Sequence, residues 1–314
     1  MIKQPFSQGR YSDLPEKPRR SHRYFELESR EVTIASDAFG PLRTHVRFAG
    51  PAGAPPMLLV HGLMTSSYSF RYVLDGLGAE YRLIIPDLPG AGRTARAPDV
   101  EHSPANLAAW IMALIRALDI EGCLALGNSM GGYLCMHAAL TNPKAFARLV
   151  NVHSPGLATG RMVALATAMR VRALRGLATK LFGFSPLRFV HKNVHYYDES
   201  LKSLEEAREY GSVLADPDGA ASLVRYLSDA LGVTGMRAFE ATLVERRERG
   251  ESFPIPLLHL YADRDPMVPA AIGPRLHALT PGSELLVLDQ TSHFMHVDTP
   301  DRVVDPVLRF FTRT

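Results

Sequence analysis

Six short apolar runs, separated by segments with helical periodicity, constrain the fold of this chain more than any other feature. The runs lie in PPMLLVHG (55–62), RLIIPDLPG (82–90), CLALGNS (123–129), ARLVNVHSPG (147–156), IPLLHLYADRDPMVP (255–269) and SELLVLDQTSHFMHV (283–297). Runs that are apolar on both faces are typical of strands buried between two layers of helices. Strands that alternate with helices predict an α/β fold with a mostly parallel sheet flanked by helices.

The apolar runs fall into two groups, because residues 157–252 lie between them and contain no buried-strand run. These roughly 95 residues far exceed the dozen or so that a crossover connection needs. We therefore predict a helical cap at 157–252, inserted into a core of residues 28–156 and 253–314. Residues 1–27 are polar and rich in Pro, Arg and Ser, which predicts an extended N-terminal arm.

The composition argues against several classes of protein. The 314 residues carry a formal net charge of +3, with 35 basic and 32 acidic side chains, so nucleic acid is not an expected partner. Two cysteines, Cys123 and Cys135, make no disulfide framework, which favours a reducing compartment. The N-terminus lacks the apolar stretch of a signal peptide, and no run reaches the roughly 20 apolar residues of a membrane span. We therefore expect a cytoplasmic protein.

A serine between glycines follows the third apolar run, in the stretch LGNSMGG. Gly127 and Gly131 flank Ser129 at a predicted junction of strand and helix. A sharp turn crowds the positions two before and two after the serine, which favours glycine there. The pattern is typical of a nucleophile presented on such a turn, and a plain glycine turn is the alternative.

A nucleophilic serine requires a base, and the base requires an acid that orients it. Asp265 follows the fifth apolar run and His293 follows the sixth. With Ser129, all three residues stand at the carboxyl ends of predicted parallel strands, which is where open α/β sheets build their sites. The spacing therefore predicts a catalytic triad of Ser129, Asp265 and His293.

This arrangement resembles the α/β-hydrolase superfamily over roughly residues 30–314, with the inserted helices in the position of the family's cap. The segment HGLMTSSYSF (61–70) resembles the family's His-Gly loop, and DLPGAGRT (87–94) resembles its Asp-Xaa-Pro-Gly-Xaa-Gly-Xaa-Ser segment, with Thr94 in place of serine. The elbow GNSMGG is similar to that of meta-cleavage-product hydrolases, small esterases and lipases. Dehalogenases and epoxide hydrolases of the family have Asp where this chain has Ser129.

The resemblance implies roles for further residues. The backbone N–H groups of Met130 and Leu63 are expected to hold the oxyanion, and Met64 is the alternative to Leu63. Met64 is also a possible pocket residue, as are His153 and Ser154, which follow a predicted strand at its carboxyl end. His61 is expected to support the oxyanion loop through a hydrogen bond.

Two residues compete with members of the predicted triad. Asp263 stands two residues before Asp265, but the family pattern has the acid directly before proline, which favours Asp265. His296 stands three residues after His293 and is the alternative base.

A second histidine pair, His191 and His195, has the four-residue spacing of a zinc-binding pair. Lys192 stands where metalloproteases of that pattern have glutamate, and no further ligand cluster is visible in the sequence. We therefore predict no metal site.

Residues 161–192 contain seven Arg and Lys residues and no Asp or Glu, with apolar residues between them. A basic amphipathic helix can bind an anionic membrane surface. The alternative is a cap helix that covers an acyl pocket and keeps its arginines in solvent. Apolar residues at helical spacing predict a stripe that is buried over the sheet edge: Leu165, Met169, Leu174, Leu177 and Leu181.

The leading functional hypothesis is a cofactor-free serine hydrolase that cleaves small-molecule esters of small to medium apolar acyl groups. A carbon–carbon bond hydrolase of the meta-cleavage-product type is an alternative that the elbow supports, although the loop after His61 and Gly62 lacks that group's Gly-rich run. A non-catalytic binding protein with the same fold is a further alternative, and the intact triad argues against it. The sequence gives no prediction of oligomeric state.

Overall fold

One eight-stranded sheet lies at the centre of the fold, in a computed structural model that describes residues 4–169 and 171–313. The strands are β1 (Glu28–Ser36), β2 (Gly40–Ala49), β3 (Pro56–Val60), β4 (Arg82–Pro86), β5 (Cys123–Asn128), β6 (Phe146–Val152), β7 (Leu257–Ala262) and β8 (Glu284–Leu288). Their order in the sheet is β1-β2-β4-β3-β5-β6-β7-β8. β2 is antiparallel to both neighbours, and the remaining pairs are parallel. The predicted mostly parallel sheet is confirmed.

Helices cover both faces of the sheet. They are α1 (Leu74–Gly78), α2 (Pro104–Ala117), α3 (Met130–Thr141), α4 (Gly160–Met169), α5 (Arg172–Phe184), α6 (Pro186–Asn193), α7 (Leu204–Ala215), α8 (Pro217–Arg225), α9 (Val233–Glu248), α10 (Ile272–Leu279), α11 (Met295–Asp298) and α12 (Pro300–Thr312). In β3, Leu58 and Val60 pack into the layer that contains α2 and α3, whereas Met57 and Leu59 pack into the layer that contains α1 and α12. Both faces of the strand are therefore buried in a hydrophobic core, which explains why the runs are apolar at consecutive positions. Among the described residues, no helix combines the length and the apolarity that spanning a bilayer requires.

Six of these helices, α4 to α9, lie between β6 and β7 in the chain, within the segment predicted as the cap. The predicted burial of its apolar stripe is wrong for four of the five residues. Met169 is buried, but Leu165, Leu174, Leu177 and Leu181 are 41–61% exposed. The reason is that α5 packs on α8 through an adjoining side, where Ala178 meets Met169 and Val224, and this contact leaves the leucines of α5 uncovered.

Residues 4–27 run across the cap segment and onto the core. The backbone N–H of Leu204, at the start of α7, donates a 2.8 Å hydrogen bond to the carbonyl of Pro15. Nη1 of Arg20 donates a 2.9 Å bond to the carbonyl of Val297, and Tyr24 is fully buried. The predicted polar arm is therefore anchored at both the cap segment and the core.

Candidate active site

Ser129 occupies a strained turn between β5 and α3. Its φ of 53° and ψ of −121° lie outside the regions that ordinary residues favour. A Cβ on Gly127 would lie 2.5 Å from the backbone nitrogen of Gly132, and one on Gly131 would lie 2.1 Å from the carbonyl oxygen of Val60. Both glycines are therefore required by close backbone approach, which is the structural context of a nucleophile elbow.

The hydroxyl of Ser129 is not used to cap the helix that it precedes. A serine at this position normally accepts a hydrogen bond from the second or third helical N–H. Ser103 and Ser203 do so at the starts of α2 and α7, but Ser129 makes no such bond to the described residues of α3. Its backbone is held instead, since its N–H donates a 2.7 Å bond to the carbonyl of Val152. The side chain is thus positioned without being consumed by local hydrogen bonding.

Asp265 and His293 form a buried, directly bonded pair. Nδ1 of His293 lies 2.6 Å from Oδ2 of Asp265. The other carboxylate oxygen, Oδ1, accepts hydrogen bonds of 2.6 and 2.9 Å from the N–H groups of Met267 and Val268. A carboxylate on Nδ1 selects the tautomer with the proton there and leaves Nε2 of His293 free to accept a proton.

The surroundings keep Asp265 charged. Burial alone would raise the pKa of its carboxyl group, but the adjacent imidazoles of His293 and His153 outweigh burial and hold the pKa well below its usual value. Asp263, the competing acid, is instead partly exposed and lies 3.7 Å from Nε of Arg264. Of the two aspartates, only Asp265 therefore has the contact that an orienting acid needs.

A second histidine, His153, lies against the same carboxylate. Its Nδ1 is 2.9 Å from Oδ2 of Asp265, and its Nε2 accepts a hydrogen bond from the N–H of Ala262. His153 and Ser154, the possible pocket residues, are fully buried, and His153 faces Asp265. The sheet order explains this, because β6 lies between β5 and β7 and its end stands directly beside Asp265.

The elbow is also linked to the histidine. Nδ2 of Asn128 donates a 3.3 Å hydrogen bond to the backbone carbonyl of His293. This contact joins the residue before Ser129 to the loop after β8, although the two positions are 165 residues apart in the chain. Nothing in the sequence distinguishes Asn128, because an asparagine within a glycine-rich turn has many local explanations.

A narrow cleft lies beside the elbow. Residues of the His-Gly loop and the elbow form one wall, and they include Leu63, Met64 and Met130. Met130 is the first residue of α3, so its N–H has no acceptor within the helix. Val213, Leu214 and Leu223 of α7 and α8 form the opposite wall, together with Tyr210 and Tyr226.

Comparison with known proteins decides the family. The model of the alpha/beta hydrolase fold family matches residues 55–300.

The chain belongs to the alpha/beta hydrolase fold family.

Three relatives of this α/β hydrolase illustrate the family. The uncharacterized hydrolase YugF of Bacillus subtilis (strain 168) is 26% identical over 263 residues, which cover 82% of this chain and 90% of YugF. The pimeloyl-(acyl-carrier protein) methyl ester esterase of Aeromonas hydrophila is 26% identical over 261 residues, covering 82% of this chain and 95% of the esterase. The solved structure of a thermophilic esterase from Thermogutta terrifontis superposes with a TM-score of 0.65 at 20% identity, covering 90% of this chain and 98% of the esterase. That last similarity concerns the fold alone.

Two other histidines of this α/β hydrolase have structural roles. Nε2 of His61 accepts a 2.9 Å hydrogen bond from the N–H of Leu88, and its Nδ1 lies 2.8 Å from the carbonyl oxygen of Gly62. The imidazole therefore supports the loop that carries Leu63. His296 is fully buried against Phe70, and neither ring nitrogen has a hydrogen-bond partner among the described residues.

His191 and His195, which have the spacing of a zinc-binding pair in the sequence, bond to different partners. Nε2 of His191 lies 3.1 Å from the carbonyl oxygen of Gly9, and Nδ1 of His195 lies 3.2 Å from a carboxylate oxygen of Glu199. Within the described ranges, the one group close enough to share an ion is His153, Asp265 and His293. Two of its facing atoms already form the 2.6 Å hydrogen bond, so the arrangement is accounted for by the pair itself.

Proposed function

We propose that this chain is a serine hydrolase that cleaves carboxylic esters of small to medium apolar acyl groups. The observation that carries the proposal is the 2.6 Å bond between His293 and Asp265, at the sheet edge where the strained turn presents Ser129. A bonded imidazole and carboxylate, joined through Asn128 to the turn of a serine that does not cap its own helix, supports nucleophilic acyl transfer.

The reaction proceeds in two steps. Oγ of Ser129 attacks the ester carbonyl carbon while Nε2 of His293 accepts the hydroxyl proton, and Asp265 stabilises the resulting imidazolium. The N–H groups of Met130 and Leu63 bind the tetrahedral oxyanion, each contributing about 10²- to 10³-fold in rate. When the intermediate collapses, His293 gives its proton to the departing alkoxide and an alcohol leaves. Water then attacks the acyl-enzyme by the same proton route, which releases the acid and restores Ser129.

The shape and lining of the cleft support an apolar acyl group. Leu63 and Met130 lie at its elbow side, and Val213, Leu214 and Leu223 line the facing wall. Each methylene buried against such a wall contributes about 0.8 kcal/mol, or roughly fourfold in kcat/KM. Room for the acyl chain in this cleft is limited, so we expect a short chain to fill it. The esterase name of the Aeromonas relative supports the ester bond as the target.

The test is a turnover screen of p-nitrophenyl esters from acetate to laurate, run beside a ring-cleavage dienoate. We expect ester hydrolysis with a chain-length optimum, and Ser129→Ala should lower kcat by about 10³-fold or more. Ser69→Ala is the matched control, because it removes another buried hydroxyl that has no hydrogen-bond partner among the described residues. Turnover of the dienoate alone would assign carbon–carbon hydrolysis, and an unchanged rate in Ser129→Ala would refute the nucleophile.

A further inference from the structure

Large exposed apolar side chains are concentrated in one part of the molecule. Eight residues of the described chain are in this class, and six of them lie between residues 165 and 184. The six are Leu165, Val171, Leu174, Leu177, Leu181 and Phe184, and Phe184 is 89% exposed. Apolar residues scattered singly over a surface are ordinary, but a cluster of this kind marks an interaction surface.

Helix α5 carries most of this surface. Its inner side, at Ala178 and Phe182, packs towards α8, and the adjoining outer side presents Leu174, Leu177 and Leu181. These three positions share one face of the helix, since they are separated by three and four residues. The helix therefore packs on the protein along one side and exposes an apolar stripe along the side next to it.

The charged side chains of this segment of the chain have one sign. Arg172, Lys180, Arg188 and Lys192 are all exposed, and residues 161–192 contain no Asp or Glu. None of these four cations has an ion pair with a carboxylate in the part of the chain that the structure describes. Arg170 and the side chain of Arg161, which belong to the same predicted basic segment, lie outside the described residues.

This combination favours an anionic lipid surface over a second copy of the chain. Symmetric self-association would bring the basic face of one copy against the same face of the other, which like charges oppose. An anionic bilayer instead accepts the apolar stripe below its headgroups and attracts the surrounding cations. The charge complementarity therefore selects lipid as the occupant.

We propose that the outer face of α5 binds the surface of an anionic membrane. Leu174, Leu177, Leu181 and Phe184 enter the boundary between headgroups and acyl chains, and the basic side chains contact lipid phosphates. The site is a docking surface, so binding does not depend on the proposed hydrolysis. Its position has a consequence for that function, because α8, which packs on the inner side of α5, provides Leu223 to the wall of the cleft. When the protein is bound to a membrane, its cleft would thus lie near the lipids, which are a source of apolar esters.

Vesicle sedimentation of the full chain tests this proposal. The probes are vesicles of phosphatidylcholine alone and of phosphatidylcholine with 30% phosphatidylglycerol. We expect at least tenfold stronger binding to the anionic vesicles at 0.1 M salt, and a clear loss at 0.5 M salt because the Debye length shortens. Leu177→Ser/Leu181→Ser/Phe184→Ser should lower binding tenfold or more, and each of Arg172→Gln, Lys180→Gln and Lys192→Gln should lower it about fivefold.

The controls separate this surface from general stickiness and from catalysis. Val287→Ser removes an apolar side chain of similar exposure on β8, far along the chain, and should leave binding unchanged, whereas Leu181→Ser should weaken it. Circular dichroism and thermal melting establish that each variant is folded. Ser129→Ala should bind vesicles like the wild type, so a failure of the proposed hydrolase function would leave this result intact.

Four outcomes would overturn the proposal. In the first, the wild type binds neither kind of vesicle; in the second, it binds neutral and anionic vesicles equally. In the third, the triple serine variant binds anionic vesicles as well as the wild type does. In the fourth, Val287→Ser and Leu181→Ser weaken binding by the same amount. Analytical ultracentrifugation tests the remaining alternative, because it measures the oligomeric state of the wild type and of the triple serine variant. A dimer that forms in the wild type and is lost in the variant would assign this face to a second copy of the chain.

Discussion

Replacing His296 by phenylalanine should remove part of the protein's sensitivity to acid. The imidazole is fully buried against Phe70, and neither nitrogen has a hydrogen-bond partner among the described residues. Burial, together with the positive charges nearby, lowers the pKa of His296 to about 3 in the folded protein. In the unfolded chain the pKa is about 6.5.

The sign and the size follow from this difference. A depressed histidine pKa means that only the unfolded chain takes up the proton, so stability is lost as the pH falls below about 6.5 and the loss grows until about pH 3. At pH 5 the gap between 6.5 and 5 is about 1.5 units, which at 1.36 kcal/mol per unit is about 2 kcal/mol. At pH 8 both states are neutral at this position, and the contribution vanishes.

Urea unfolding of the wild type and His296→Phe at pH 8 and pH 5 measures this difference. The larger phenylalanine ring changes packing by an amount that is the same at both pH values, so it cancels in the comparison. Other buried histidines with lowered pKa values, such as His259 and His137, are present in both proteins and cancel as well. We expect the wild type to lose about 2 kcal/mol more than the variant between pH 8 and pH 5. Equal losses would refute the assignment of a buried, neutral His296.

Three further predictions concern the site. Asp265→Asn should lower kcat for ester hydrolysis by up to about 10⁴-fold, because the amide no longer selects the required imidazole tautomer, whereas Asp263→Asn should have little effect. Steady-state kinetics on a p-nitrophenyl ester measure both variants, and equal losses of kcat would contradict the assignment. Gly131→Ala should destabilise the protein by about 1–3 kcal/mol or more in urea unfolding, since its Cβ would lie 2.1 Å from a β3 carbonyl oxygen, while Gly160→Ala, with open space at its Cβ, should not. Leu223→Phe should shift the preferred p-nitrophenyl ester to a shorter acyl chain by filling the cleft, and an unchanged chain-length profile would show that this wall does not contact the acyl group.

The elements that carry the proposed chemistry were accessible from the sequence because their signals are local. An apolar run ending in Gly127-Asn128-Ser129 specifies a strand, a turn and a helix start within a few residues. Such features depend on backbone conformation and on the two-residue period of strands, and the residues themselves dictate both. The choice of Asp265 over Asp263 came from the resemblance to the family, in which the acid directly precedes proline.

Tertiary structure alone decided what covers each surface and which strand ends become neighbours. Periodicity showed that Leu174, Leu177 and Leu181 share a face of one helix, but it could not reveal that this face is exposed and that α7 and α8 line the cleft instead. Likewise, His153 contacts Asp265 only because β6 lies between β5 and β7 in the sheet. A sequence pattern records the polarity of a surface, whereas the partner of that surface is chosen by the packing of elements that are distant in the chain.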